Sequence, residues 1–133
     1  MRAMTLAMAE AGLVAGDIDY VAAHGTSTPR NDLIETLAIK RALGERARQV
    51  SVSSNKGQIG HALAAAGAVN TVVAAVAIAR GEVPPTANYR TPDPGCDLDY
   101  VPNEGRRMRV RAALANAFAF GGHNVSLALR SAV

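Results

Sequence analysis

The chain has 133 residues, 49% of them hydrophobic and 19% charged, which is enough apolar material for one domain with a core and excludes the composition of a disordered segment. A formal net charge of +3 is too modest to mark a nucleic-acid binder, and a single cysteine excludes an internal disulfide and a cysteine-based zinc site. With two Phe, three Tyr and no Trp, the core must be filled by Ala, Val, Leu and Ile in closely spaced layers.

In chain order, Met1, Met4, Met8 and Ala11 recur at helical spacing and predict a helix over Arg2 to Ala11, with Gly12 as its stop. This stretch carries Arg2 and Glu10 and lacks the apolar core and cleavage site of an export signal, so a cytoplasmic location is expected. Ile18, Tyr20 and Ala22 alternate as a short strand. Thr28 and Pro29 match an N-cap and a first helical position, with Asp32 and Glu35 near the positive end of a helix that carries Ile34, Leu37 and Ala38 and ends at Gly44. Gln49 to Ser53 reads as a second strand, and an Ala-rich helix follows from about Gly60.

The apolar run from Ala62 to Ala79 approaches the length of a membrane span. It is built from Ala and Val and is interrupted by Asn70, so the expectation is no membrane span but a helix buried on all sides. Pro84, Pro85, Pro92, Pro94 and Pro102 make Gly81 to Gly105 an ordered loop. Ala112 to Phe120 and Asn124 to Leu129 then flank Gly121-Gly122-His123 as antiparallel strands joined by a tight turn. The predicted fold class is α/β, a mixed sheet in β-α-β-α-β-β order with a buried Ala-rich helix, forming one unit over residues 1–133.

Two motifs carry chemistry. Ala23-His24-Gly25-Thr26-Ser27-Thr28-Pro29 and Ser51-Val52-Ser53-Ser54-Asn55-Lys56-Gly57-Gln58-Ile59-Gly60-His61 each place a histidine beside a glycine just beyond an apolar strand. Such ends of an open α/β sheet converge on one crevice. A lone histidine is more often structural, but two flanked by Gly, Thr and Ser point to a two-histidine reaction centre. His123 reads as a loop residue. A zinc site made of His24, His61 and His123 is disfavoured, because no two of them stand at helix-ligand spacing and no acidic base lies near, so no metal is expected.

Four segments, AHGTSTPRNDLIETLAIK, SVSSNKGQIGHALAAAGAV, VPPTANYRTPDPGCDLDYVPN and NAFAFGGHNVSLAL, occur in this order and cover almost the whole chain. In them the chain resembles the β-ketoacyl-acyl carrier protein synthases of the type II fatty acid kind, within the thiolase-like condensing enzymes. The resemblance implies a thiolase-like C-terminal half, the last third or so of such an enzyme, with the nucleophilic cysteine in an N-terminal half outside these residues. A chain so divided is expected to be inactive alone. Cys96 matches a family loop and not the nucleophile turn.

The resemblance further implies roles. His24 and His61 match the pair that holds the malonyl thioester carbonyl and stabilises the enolate formed as carbon dioxide leaves, in fatty acid or polyketide synthesis. His61, expected at the start of the Ala-rich helix, would be kept neutral by the helix dipole. Lys56 matches a lysine of the catalytic surroundings that orients His61 or its loop. Thr26 and Thr28 match hydroxyls that bind the pantetheine arm of the acyl carrier protein, the substrate carrier, and no separate cofactor is implied. Phe120 matches the phenylalanine that gates the acyl pocket, while Phe118 is expected to pack in the core.

The implied partners are the acyl carrier protein, the N-terminal half or a full ketosynthase subunit, and a second copy in a dimeric complete enzyme. Three positions depart from the family: Asn70 stands where a Glu pairs with the lysine matching Lys56, and Ala119 and Ala64 each replace a Gly. The competing reading is a non-catalytic, chain-length-factor-like partner or a truncated remnant. A thiolase-type acyl transferase is opposed by the lack of a cysteine after Cys96. The cluster Arg106, Arg107, Arg109 and Arg111 is expected to be a solvated loop face before it is a carrier-protein dock.

Overall fold

Met4 and Met8 stand four residues apart because both are buried where helix α1, Arg2–Glu10, lies on a sheet; the computed structural model describes residues 1–132. Gly12, at φ +63°, turns the chain out of this helix, and the Leu13 N–H returns to the Met8 carbonyl at 2.9 Å. Strand β1, Ile18–Ala22, leads to helix α2, Asn31–Leu43, and strand β2, Ser51–Ser53. A one-turn helix α3, Lys56–Ile59, and a 3₁₀ turn, Leu63–Ala65, precede helix α4, Ala66–Arg80. Two-residue strands β3, Glu82–Val83, and β4, Arg106–Arg107, pair antiparallel and close the proline-rich loop between them. Strands β5, Ala112–Phe118, and β6, Asn124–Arg130, form an antiparallel hairpin.

The main sheet has the order β2-β1-β5-β6, with β1 parallel to both β2 and β5. The expected α/β class, mixed sheet and β-α-β-α-β-β order of its strands are therefore present. Helices α1 and α2 cover one face, where Met4, Met8, Ile18, Val21, Ile39 and Leu43 pack together. Helix α4 covers the other, against Tyr20, Ala22, Ala113 and Ala115. Alternation placed Ile18, Tyr20 and Ala22 on one face, but the register with β5 shifts between Ile18 and Tyr20, so Ile18 joins the opposite layer. Both faces of β1 being covered, all five of its residues are buried.

Asp19 anchors the start of this central strand. Its carboxylate accepts from Arg46 Nη2 at 2.7 Å, from Arg111 Nη2 at 2.9 Å and from the Arg111 main-chain N–H at 2.8 Å. Arg46 Nε also donates to the Ile18 carbonyl at 3.1 Å. Arg106 pairs with Asp99, so two of the four clustered arginines hold internal acids.

Three expectations are corrected. Thr28 does not cap α2: Arg30 occupies the N-cap with no side-chain bond, and the Thr28 hydroxyl bonds that of Thr26 at 2.9 Å. The Ala-rich helix starts at Ala66 and not near Gly60, because Gly60 at φ +75° and Leu63 at φ +48° break the chain between α3 and α4. Nor is that helix buried on all sides. Ala66, Asn70, Ala74 and Ala77 face the sheet, while Val72 is 61% exposed on the far side. The stretch Leu63–Arg80, of mean hydropathy 1.7, is long and apolar enough to cross a membrane by length and composition, yet one face of it packs as a core helix of this domain.

Candidate active site

Parallel β1 and β2 end side by side, and the ladder runs one residue past β1, where the Ala23 N–H donates to the Ser53 carbonyl at 2.9 Å. The next residue is His24. The chain then passes so close to Ser54 that a Cβ on Gly25, at φ +43°, would lie 2.5 Å from the Ser54 Cβ. Ser54 Oγ donates to the Gly25 carbonyl at 2.7 Å and fastens the two strand ends to each other. With β5 joined to the opposite edge of β1, this is the switch point where an open α/β sheet forms its crevice.

Glu35 holds the main chain of the first motif. Only 3% exposed, its carboxylate accepts the N–H groups of His24 and Gly25, each at 2.9 Å, with Asn116 Nδ2 at 3.1 Å and Asn31 Nδ2 at 3.4 Å. Burial pushes the Glu35 carboxyl above its ordinary range, and those N–H donors oppose the rise. Lys56 meets the same segment from the other side, donating from Nζ to the His24 carbonyl oxygen. Burial lowers the Lys56 ammonium, while the charges of Glu35 and Asp32 support it. Lys56 therefore acts on His24 and not, as expected, on His61 or its loop.

The two imidazoles meet. Their ring centroids lie 5.5 Å apart at an interplanar angle of 81°, edge to face. His24 is 6% exposed, and burial, then the positive charge of Lys56 and the neighbouring His61, push it down to about 4, against a smaller opposing effect of Asp32. It is thus neutral at pH 7. His61 sits in the break between α3 and the 3₁₀ turn, so the helix dipole expected to act on it is not directed there. Instead its Nδ1 accepts the Leu63 N–H at 3.0 Å, which leaves Nε2 as the ring's donor.

Thr26, Thr28 and Lys56 line a cavity of about 520 Å³ together with Glu35, Thr36 and Tyr100. Cys96 lies on this cavity, 3.6 Å from the Thr36 hydroxyl, and away from the histidines. His24 instead faces an apolar groove of about 360 Å³ with Phe118, His123, Leu63 and Val125. Phe120 is fully exposed at the hairpin tip and meets neither imidazole. Phe118, expected in the core, has its ring centroid 5.4 Å from that of His24. Among the described residues, no three His, Cys, Asp or Glu side chains are placed to hold one metal ion.

Sequence reasoning missed Glu35, Phe118, Asn116 and the work of Asn70. Glu35 carried a signal, since it stands four and eight residues before Ile39 and Leu43 and so shares their buried stripe. Asn70 likewise shares a stripe with Ala66, Ala74 and Ala77.

Comparison with known proteins finds one family and one fold. The family profile described as the C-terminal domain of beta-ketoacyl synthase matches residues 1–90. The chain is 50% identical over 129 residues to the 3-oxoacyl-acyl-carrier-protein synthase 2 of Synechocystis sp., covering 97% of this chain and 31% of that protein. It is 52% identical over 128 residues to nodulation protein E of Rhizobium sp., covering 96% and 32%. The crystal structure of a beta-ketoacyl synthase from Burkholderia phymatum superposes with a TM-score of 0.87 at 37% identity, covering 99% of this chain and 32% of that one. A type II PKS acyl-carrier protein in complex with its ketosynthase, bound to the hexaketide, gives 0.96 at 40% identity, covering 99% and 32%. The chain thus spans about a third of the length of the relatives it matches.

Proposed function

This chain belongs to the beta-ketoacyl synthase family, to its C-terminal domain, and from that membership we propose that it supplies the donor half of a decarboxylative condensing site, an acyltransferase of fatty acid or polyketide synthesis acting in the cytoplasm. The observation that carries the reading is the right-angled pair of His24 and His61, one ring kept neutral by burial and the other with its Nδ1 already occupied. A neutral His24 and a His61 whose Nδ1 is already bonded present N–H groups to one oxygen.

In the proposed reaction, His24 and His61 donate to the thioester carbonyl of the malonyl donor. The bond to the carboxylate breaks, carbon dioxide leaves, and its electron pair moves onto that oxygen as an enolate. The enolate carbon then attacks an acyl thioester held on a cysteine from outside these residues, and that thiolate leaves as the carbon–carbon bond forms. Donors fixed beforehand favour the enolate over the ground-state carbonyl, each worth about 10²–10³-fold in rate. Phe118 and the apolar groove keep water from the forming charge.

Thr26 and Thr28 offer hydroxyls to the pantetheine arm along the larger cavity, and Phe120, exposed on its glycine-flanked turn, closes over the acyl side in the assembled enzyme. The proposed partners are the acyl carrier protein, the cysteine-bearing part of a ketosynthase and a second copy in a dimer. Decarboxylation of malonyl-carrier protein by the complete synthase tests the reading. His24→Ala and His61→Ala each lower that rate at least a hundredfold in folded protein; a change below threefold in either would overturn it.

A further inference from the structure

Asn70 is the one strongly polar side chain on the sheet-facing stripe of α4, 1% exposed, and it uses its whole amide. Nδ2 donates to the Ala23 carbonyl at 3.0 Å and to the Asn116 carbonyl at 2.8 Å, while Oδ1 accepts from Asn55 Nδ2 at 2.9 Å. Each partner adjoins the reaction centre. Ala23 immediately precedes His24, and Asn55 immediately precedes Lys56. The Asn116 side chain in turn donates to Glu35, which accepts the His24 N–H, and accepts from Ser126 Oγ at 2.9 Å.

We propose that Asn70 is a positioning residue that sets His24 and Lys56 in register through one neutral amide. The physical reason is donor count. Asn70 must meet two carbonyl oxygens and one amide N–H, and a primary amide offers two donors and an acceptor. An ionised carboxylate only accepts, so it would turn oxygen towards both carbonyls. With an amide here, Glu35 remains the buried carboxylate next to this segment, and Lys56 keeps its ammonium on the His24 carbonyl. One side chain thereby fixes the approach to both motifs from beneath the sheet.

This rests on the condensing reading, and the test separates the two. In the complete synthase, Asn70→Asp, of the same shape, and Asn70→Ser, which is smaller and neutral, are compared with Asn70→Gln. The titration of His24 is followed by NMR with ¹³C-labelled histidine, alongside kcat and KM for malonyl-carrier protein. The charged and titratable groups near His24 are Lys56 from α3, His61 from the following loop, Asp32 and Glu35 from α2 and His123 from the hairpin turn.

Asn70→Asp is expected to raise the His24 midpoint by more than one pH unit and lower kcat at least tenfold with KM within threefold. Asn70→Ser lowers kcat in the same way with a smaller shift of the midpoint, and Asn70→Gln restores part of kcat. Where Asn70→Asp does not fold, Asn70→Ser alone decides. A folded variant with unchanged His24 titration and kcat, in a synthase that does condense, overturns the role of Asn70. A wild-type synthase that does not condense overturns the condensing reading instead, and the NMR titration still reports on Asn70.

Discussion

The electrostatics of the site turn on single side chains. His24 titrates near 4 in the fold against 6.5 in the open chain. Between those values the unfolded chain takes up a proton that the native ring refuses, so this group's contribution to stability is intact above pH 6.5 and is lost as pH falls towards 4. Burial is the larger cause and Lys56 the next, so Lys56→Met is expected to move the His24 midpoint upward without restoring 6.5, read by NMR of the labelled imidazole; a midpoint that stays put would remove Lys56 from the account. Glu35→Gln puts an NH₂ where one oxygen now accepts a main-chain N–H from residue 24 or 25. That change is expected to destabilise by about 1–3 kcal/mol in denaturant unfolding, the usual cost of an unmet buried donor. Because Glu35 supports the Lys56 charge, the same variant lowers the Lys56 ammonium further.

At the scale of elements, the sheet is held at both ends of β1 by polar groups of opposite purpose. The Asp19 end is structural: burial pushes its carboxyl up, but the bonds and charges of Arg111 and Arg46 outweigh it and hold the carboxyl below its ordinary value. Its contribution is therefore present above the ordinary carboxylate range and fades as pH falls below it. Asp19→Ala leaves a main-chain N–H of β5's approach and two guanidinium groups unmet. Since Arg46 and Arg111 both reach water, the expected loss is about 1.5–3 kcal/mol, measured by urea unfolding. Condensing chemistry in the folded fraction should be untouched, because the Asp19 carboxylate reaches none of the site residues. The opposite end of the strand spends its polar groups on His24, which is why the two ends should respond so differently to substitution.

Across the whole molecule, an apolar surface remains open on α4, the hairpin and the loop before them, with Val72, Val76, Leu63, Val125, Leu127 and Phe120 exposed. Surfaces of this kind associate in water. The 133-residue chain by itself is expected to sediment as concentration-dependent oligomers, and Val72→Asp with Val76→Asp to shift it towards monomer; oligomers unaffected by the pair would assign association to another face. The same openness marks what the sequence does and does not disclose. Strand ends, glycine stops and the convergence of His24 with His61 were legible, because they follow from local patterns and from the rule that parallel strands share one crevice. The buried role of Glu35 was legible only as a place on the stripe of Ile39 and Leu43, since a carboxylate near a helix start also suits a solvated face and the four donors around it come from distant segments. The late start of α4 was hidden in Leu63, whose positive φ no side-chain pattern announces. That Phe118 reaches an imidazole was hidden because which of two aromatics does so depends on where the strand yields to the turn.

Ala23 and Gly25 line the larger cavity while His24 between them lines the groove. The main chain shared by the two linings is therefore one residue wide, with an ammonium bonded to its carbonyl. A group bound beside Lys56 is thus expected to bear on His24 through a single carbonyl.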